Sequence, residues 1–129
     1  MNIIWHGQSC FTIKSKDKIM VIDPFDKSIG LKQPKLKADI LLISHDHPDH
    51  SDVSIVKKAH EDLKVISEPG EYEFGGIYIQ AILGYHDDKS GQKLGETLMF
   101  ALRLENMVIA HLGDLGQMEL TDSQLEELN

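Results

Sequence analysis

A chain of 129 residues with 41% hydrophobic and 26% charged positions can build one globular core without disulfides, and no apolar run approaches the roughly 20 residues of a membrane-spanning helix. A net charge of −8, with no evident cluster of Lys or Arg, weighs against a nucleic-acid partner, though bound cations would still admit an anionic small molecule. One cysteine, Cys10, and an N-terminus lacking a basic stretch followed by an apolar one point to a reducing compartment, the cytoplasm by default.

Taken in chain order, "NIIW" and "CFTIK" read as strands around the turn "HGQS", and "KIMVIDPF" as a third strand stopped by Pro24. The opening is a β-meander. After a loop with two turn signals, "DILLIS" is apolar on both faces and too short for most helices, which predicts a fully buried central strand. From Ser51, "SDVSIVKKAHEDL" places Val53, Val56, Ala59 and Leu63 near helical spacing, with Ser51 or Asp52 as the cap. A surface helix is expected there. "KVIS" is a short strand, "EYEF" alternates before a Gly-Gly turn, and "IYIQAILGYH" is a longer strand ending in a polar loop. "TLMFALRL" and "MVIAHL" pair around "EN", and "TDSQLEEL" opens a helix. No repeat or linker divides the chain, so residues 1–129 are expected to form a single, β-rich α/β domain built in layers.

The chemistry concentrates in "SHDHPDHSD", at the end of the buried strand, where three of the seven histidines fall within six positions. If the backbone stays extended past the strand, His45 and His47 share a face and Asp46 points away, and Pro48 favours that conformation at His47. Asp49 and His50 then lie beyond the turn and can address a second, adjacent point. Neutral imidazole with carboxylate suits Zn²⁺ best, with Mn²⁺ and Fe²⁺ also compatible, at one or two ions per chain. Further ligands should stand at other strand ends, and His86 and Asp114 do, with Gly113 allowing a tight approach.

The remaining polar residues are less committed. Asp23 in "VIDPF" either caps the turn before Pro24 or supports a ligand histidine through a hydrogen bond. His111 reads as a supporting or substrate-side group, and His60 as solvent-facing. His6 is undecided. Cys10 reads as a buried small hydrophobe. Lys89 and Lys93 could meet an anionic substrate, but a solvated, flexible loop is the simpler reading.

His-x-His-x-Asp-His at 45–50, the later His86 and "HLGDLG" at 111–116 together resemble the metallo-β-lactamase-fold superfamily. "GQSCF", "IDPF", "PGEYE" and "YHDD" resemble more narrowly its small zinc-dependent hydrolases related to ascorbate-phosphate lactonase. The resemblance implies that the chain is the N-terminal part of an αββα sandwich. It also implies His45, His47 and His86 on one metal, Asp49 and His50 on the other, and Asp114 bridging. The implied activity is hydrolysis of an ester, lactone or phosphodiester bond in a small molecule by a metal-bound hydroxide, with Asp49 and Asp114 as catalytic groups. Two departures stand out. Gln8 occupies a position that is often histidine in this branch, and such relatives are about half as long again, their second half adding a last histidine and covering one sheet face. The alternative expectation is therefore a catalytically incomplete metal-binding half-domain that forms a homodimer or takes the missing half from a second chain.

Overall fold

Residues 2–22 form the expected meander. Strands β1 (Asn2–Gly7), β2 (Cys10–Ser15) and β3 (Lys18–Ile22) pair antiparallel in sequence order. Left-handed residues close both turns, Gly7 (φ 103°) and Gln8 (φ 50°) in the first and Lys16 (φ 53°) in the second. The computed structural model describes all residues, 1–129, as two units, Met1–Ser67 and Glu68–Asn129.

In the first unit, β4 (Leu36–Ala38) is followed by β5 (Ile40–Leu42), the "DILLIS" strand. It pairs parallel with β3 on one side and with a later strand, Lys64–Ile66, on the other, and its three residues are at most 1% exposed. Burial on both faces is why this run carries no polar alternation. Cys10, Val21, Leu41 and Ile43 form one core cluster with Phe25, Leu36, Ala38 and Val56.

The helix expected from Ser51 does not form. Asp52 caps as anticipated, its carboxylate accepting from the Ser54 N–H at 3.2 Å, but only one 3-10 turn, Val53–Ile55, follows. Val56–Lys58 is instead strand β6, parallel to β4, and Lys64–Ile66 is β7. Val53, Ile55 and Val56 are β-branched and lose side-chain freedom in a helix, while Val56 gains a place in the core beside Leu36 and Ala38. Pairing with β4 outweighs the i, i+3 spacing.

The second unit is an antiparallel meander of β8 (Gly70–Phe74), β9 (Ile77–Tyr85), β10 (Glu96–Leu104) and β11 (Met107–His111). Its two-residue turns use Gly75–Gly76 (φ 62° and 82°) and Glu105–Asn106 (φ 48° and 61°), the doubly left-handed geometry that matches strand twist. Helix α1 (Asp122–Leu128) begins with a capping box: Thr121 Oγ1 accepts from Gln124 N, and Gln124 Oε1 accepts from Thr121 N. Leu115, Leu120 and Leu128 pack on Ile82, Met99 and Ala101, seating α1 on the sheet. Strands dominate as expected, but with one α-helix rather than two. No helix is long and apolar enough to cross a membrane.

Candidate metal centre

The strand β5 ends at Leu42, and residues 44–47 bend rather than continue extended. The His47 N–H reaches back to the His45 carbonyl at 3.1 Å, and the His50 N–H to the His47 carbonyl at 2.9 Å, with Pro48 between them. Two tight turns in succession replace the expected strand extension. They still bring the rings together: the centroids of His45 and His47 lie 4.5 Å apart, and those of His45 and His50 4.2 Å apart. The loop is tied down by Asp26 N–H to Pro48 O at 2.7 Å and Asp52 N–H to Pro24 O at 2.8 Å. Asp46 turns to Ser51, whose hydroxyl is 3.1 Å from its Oδ1, in keeping with a residue that does not ligate.

Asp23 resolves in favour of supporting a histidine. It is fully buried in a left-handed conformation (φ 45°) directly after β3. Its Oδ1 accepts from the Ser44 N–H at 2.7 Å, and its Oδ2 faces the Ser44 hydroxyl at 2.7 Å and His50 Nδ1 at 2.9 Å. A carboxylate only accepts, so His50 Nδ1 carries the proton and Nε2 keeps the lone pair that a metal needs. The same logic runs one step further. The single Ser44 proton goes to Asp23, so Ser44 Oγ must accept from His45 Nδ1 at 2.8 Å, which sets His45 Nε2 as a ligand atom too. One buried carboxylate thus fixes two tautomers.

Asp49, half-exposed, completes the group: one ligand atom from each of His45, Asp49 and His50 lies within 4.8 Å of the others. Asp49 Oδ2 accepts from Gln8 Nε2 at 2.9 Å and stands 3.3 Å from His50 Nε2. Burial works to raise the Asp49 carboxyl, but the opposing influences, led by the Gln8 hydrogen bond, outweigh it and hold it below the ordinary carboxylate range. Two imidazoles with orientations fixed from behind and one ionised carboxylate fit a divalent cation of the zinc type.

In the second unit, His86 directly follows β9, and its Nε2 lies 3.0 Å from Asp114 Oδ2. Gly113 is left-handed (φ 58°), as the tight approach requires, and the Asp114 N–H donates to Thr97 Oγ1 at 3.2 Å. Gly116 was not singled out by sequence reasoning, yet a Cβ there would stand 2.4 Å from the His86 carbonyl oxygen. Its N–H donates to the Tyr85 carbonyl at 2.8 Å, so the "HLGDLG" loop is laid directly against the backbone of His86. The loop after His86 is also more ordered than its composition suggests. The Asp87 carboxylate accepts from the backbone N–H groups of Lys89, Gly91, Lys93 and Leu94 at 2.7 to 2.9 Å, and these bonds, led by that of Leu94, lower its pKa to about 2.

Other candidates settle into structural roles. Cys10 is fully buried and its thiol is pushed up to about 12, chiefly by burial, so it is inert as a nucleophile. His6 pairs with Thr12 Oγ1 at 2.8 Å, and burial lowers its pKa. His60 is exposed as expected but is anchored by Asp39 at 2.6 Å. His111 Nδ1 accepts from the Gly113 N–H at 3.2 Å, a supporting role in the Asp114 turn. Contrary to the absence of any evident basic cluster in the sequence, Lys14, Lys35, Lys37 and Lys57 line one concavity of the first unit, because the β4–β6 ladder sets Lys37 beside Lys57.

The sequence matches the beta-lactamase superfamily domain over residues 2–129. It is 30% identical to a metal-dependent hydrolase of Thermoplasma acidophilum over 90% of this chain and 61% of that protein. To a metal-dependent hydrolase of Bacillus subtilis it is 32% identical, over 88% of this chain and 63% of that one. Among solved structures, a Thermotoga maritima protein proposed to be a Zn-dependent hydrolase of the metallo-beta-lactamase superfamily superposes with a TM-score of 0.76 at 34% identity, covering 98% of this chain and 56% of that one. The chain therefore spans about 60% of the length of these relatives.

Proposed function

We propose that this chain, which belongs to the beta-lactamase superfamily, is a metal-dependent hydrolase acting on an ester, lactone or phosphodiester bond of a small molecule. The observation that carries the reading is the His45, Asp49 and His50 group, with Asp23 and Ser44 setting both imidazoles for ligation. The names of the Thermoplasma and Bacillus relatives support hydrolysis, and that of the Thermotoga structure supports zinc. In this reading His45, His47 and His86 would hold one zinc and Asp49 and His50 a second, with Asp114 as a further candidate ligand for both. When bound, the metal supplies Lewis acidity and lowers the pKa of coordinated water toward about 7.

The chain's own residues do the rest. His45 and His50 present Nε2 lone pairs that need no tautomer change on binding, because their Nδ1 protons are already committed. Asp49, a carboxylate and so ionised at neutral pH, orients the attacking water and accepts its proton. Asp114 serves as the second such carboxylate. The inert, buried Cys10 is consistent with work in the cytoplasm, which we include in the proposal.

The test uses zinc-loaded chain and generic ester, lactone and phosphodiester probes. Asp49→Ala and His47→Ala should each abolish metal-dependent turnover while the chain stays folded by circular dichroism; unchanged turnover in both overturns the assignment. A second reading, a homodimer whose chains act by assembly, draws on β1, where Ile3 and Trp5 are 50% and 66% exposed at a sheet edge. Sedimentation of the zinc-bound chain as a stable monomer would refute it.

A further inference from the structure

Gln8 reaches the metal site from the opposite end of the first unit's sequence. Its amide Nε2 donates to Asp49 Oδ2 at 2.9 Å across 41 positions of chain. The turn that delivers it is shaped for the purpose in three ways. The β1–β2 register breaks between Trp5 and Gly7, a bulge of the kind that re-aims side chains. Gln8 itself sits at φ 50°, a conformation that a non-glycine residue adopts uncommonly. The Trp5 indole N–H then donates to the Gln8 carbonyl at 2.8 Å, and Gly7 before it sits at φ 103°, a conformation that strains any residue with a Cβ.

A carboxylate on a turn can rotate about its last bond, and a single donated N–H fixes its plane. The oxygen that Gln8 holds is the one facing His50 Nε2 at 3.3 Å, so the bond sets the arrangement of one ligand against another. We infer that Gln8 is a positioning residue for the metal: its amide, carried on a bulged left-handed turn, holds the Asp49 carboxylate in its ligating orientation. The inference rests on Asp49 being a ligand, as proposed above.

The experiment is zinc affinity, measured by competition with a chromophoric chelator, alongside the melting temperature of the metal-free chain. Gln8→Asn retains a residue that favours the left-handed turn but is one methylene short. Gln8→Glu retains size while setting carboxylate against carboxylate. Gln8→Asn should weaken zinc binding about tenfold, the lower end of the range for ligand-supporting residues because Gln8 is exposed, and Gln8→Glu should weaken it further. The metal-free melting temperature should not change in Gln8→Asn, which separates positioning from a structural role. Zinc affinity within twofold of the parent in both variants overturns the inference. Asp49→Asn in the same series distinguishes the causes: if it too leaves affinity unchanged, the ligand assignment of Asp49 has failed, and if it alone weakens binding, only the role of Gln8 has.

Discussion

Replacing Asp23 by asparagine should separate metal binding from folding. Asp23 is fully buried and its two oxygens meet three groups: Ser44 N–H, the Ser44 hydroxyl and His50 Nδ1. Alanine would leave all three without their acceptor, at about 1–3 kcal/mol each, in a left-handed conformation that alanine tolerates less well than aspartate. That sum approaches the stability of a small domain, so alanine is uninformative. Asparagine keeps the shape and tolerates the left-handed backbone. Its oxygen can serve the Ser44 N–H, but its NH₂ then takes the place of Oδ2 and donates. His50 Nδ1 must become an acceptor and its proton moves to Nε2. The Ser44 hydroxyl, released from Asp23, donates to His45 Nδ1 and drives the same change there. Both ligand atoms are then protonated. With about 10- to 100-fold lost for each mis-set histidine, zinc affinity should fall about 100-fold or more, or at least about 2.7 kcal/mol, against a folding cost of about 1–3 kcal/mol. Chelator competition and thermal melts of metal-free protein measure the two separately. Asp23→Asn binding zinc as tightly as the parent would refute the tautomer argument.

Three further outcomes follow from the packing and charge. Gly116→Ala pushes a methyl into the His86 backbone, which cannot yield as a flexible side chain would, so it should cost about 1–3 kcal/mol in a denaturant melt; full stability would contradict the close approach. Leu41→Ala empties a fully buried position in the first core cluster and should cost about 2–5 kcal/mol by the same assay. Asp87 has its folded pKa lowered to about 2 from 3.8, so its contribution is fully present above pH 3.8 and disappears as pH falls through about 2. Acid titration of stability should show that loss in the parent and a smaller one in Asp87→Asn.

The parts of the fold written in short-range pattern were legible in the sequence. The two meanders, the buried "DILLIS" strand, the Gly-Gly and Glu-Asn turns and the capped C-terminal helix each announce themselves within ten residues or so. The failed helix at Ser51 shows the limit: its spacing was helical, but β-branched residues and an available partner strand decided the outcome. The candidate metal cluster was legible because metal-ligating residue types crowd into six positions, even though the backbone route that assembles them is two turns and not an extended strand. Supporting residues were harder to see. Asp23 could be named only as one of two alternatives, since nothing local ties it to His50. Gln8 stood out only as a departure from a histidine of the resembled branch, and Ser44 and Gly116 carried no signal at all, because a hydrogen bond across distant segments or a missing Cβ leaves no periodicity to read.

The central claim is that residues 45–50 hold a metal, and zinc content measures it most directly. After exposure to zinc and exhaustive dialysis, the purified chain should retain about one to two equivalents, and the His45→Ala/His50→Ala double variant should retain markedly less while still melting cooperatively. A parent chain that retains no zinc, or a double variant that retains as much as the parent, would contradict it.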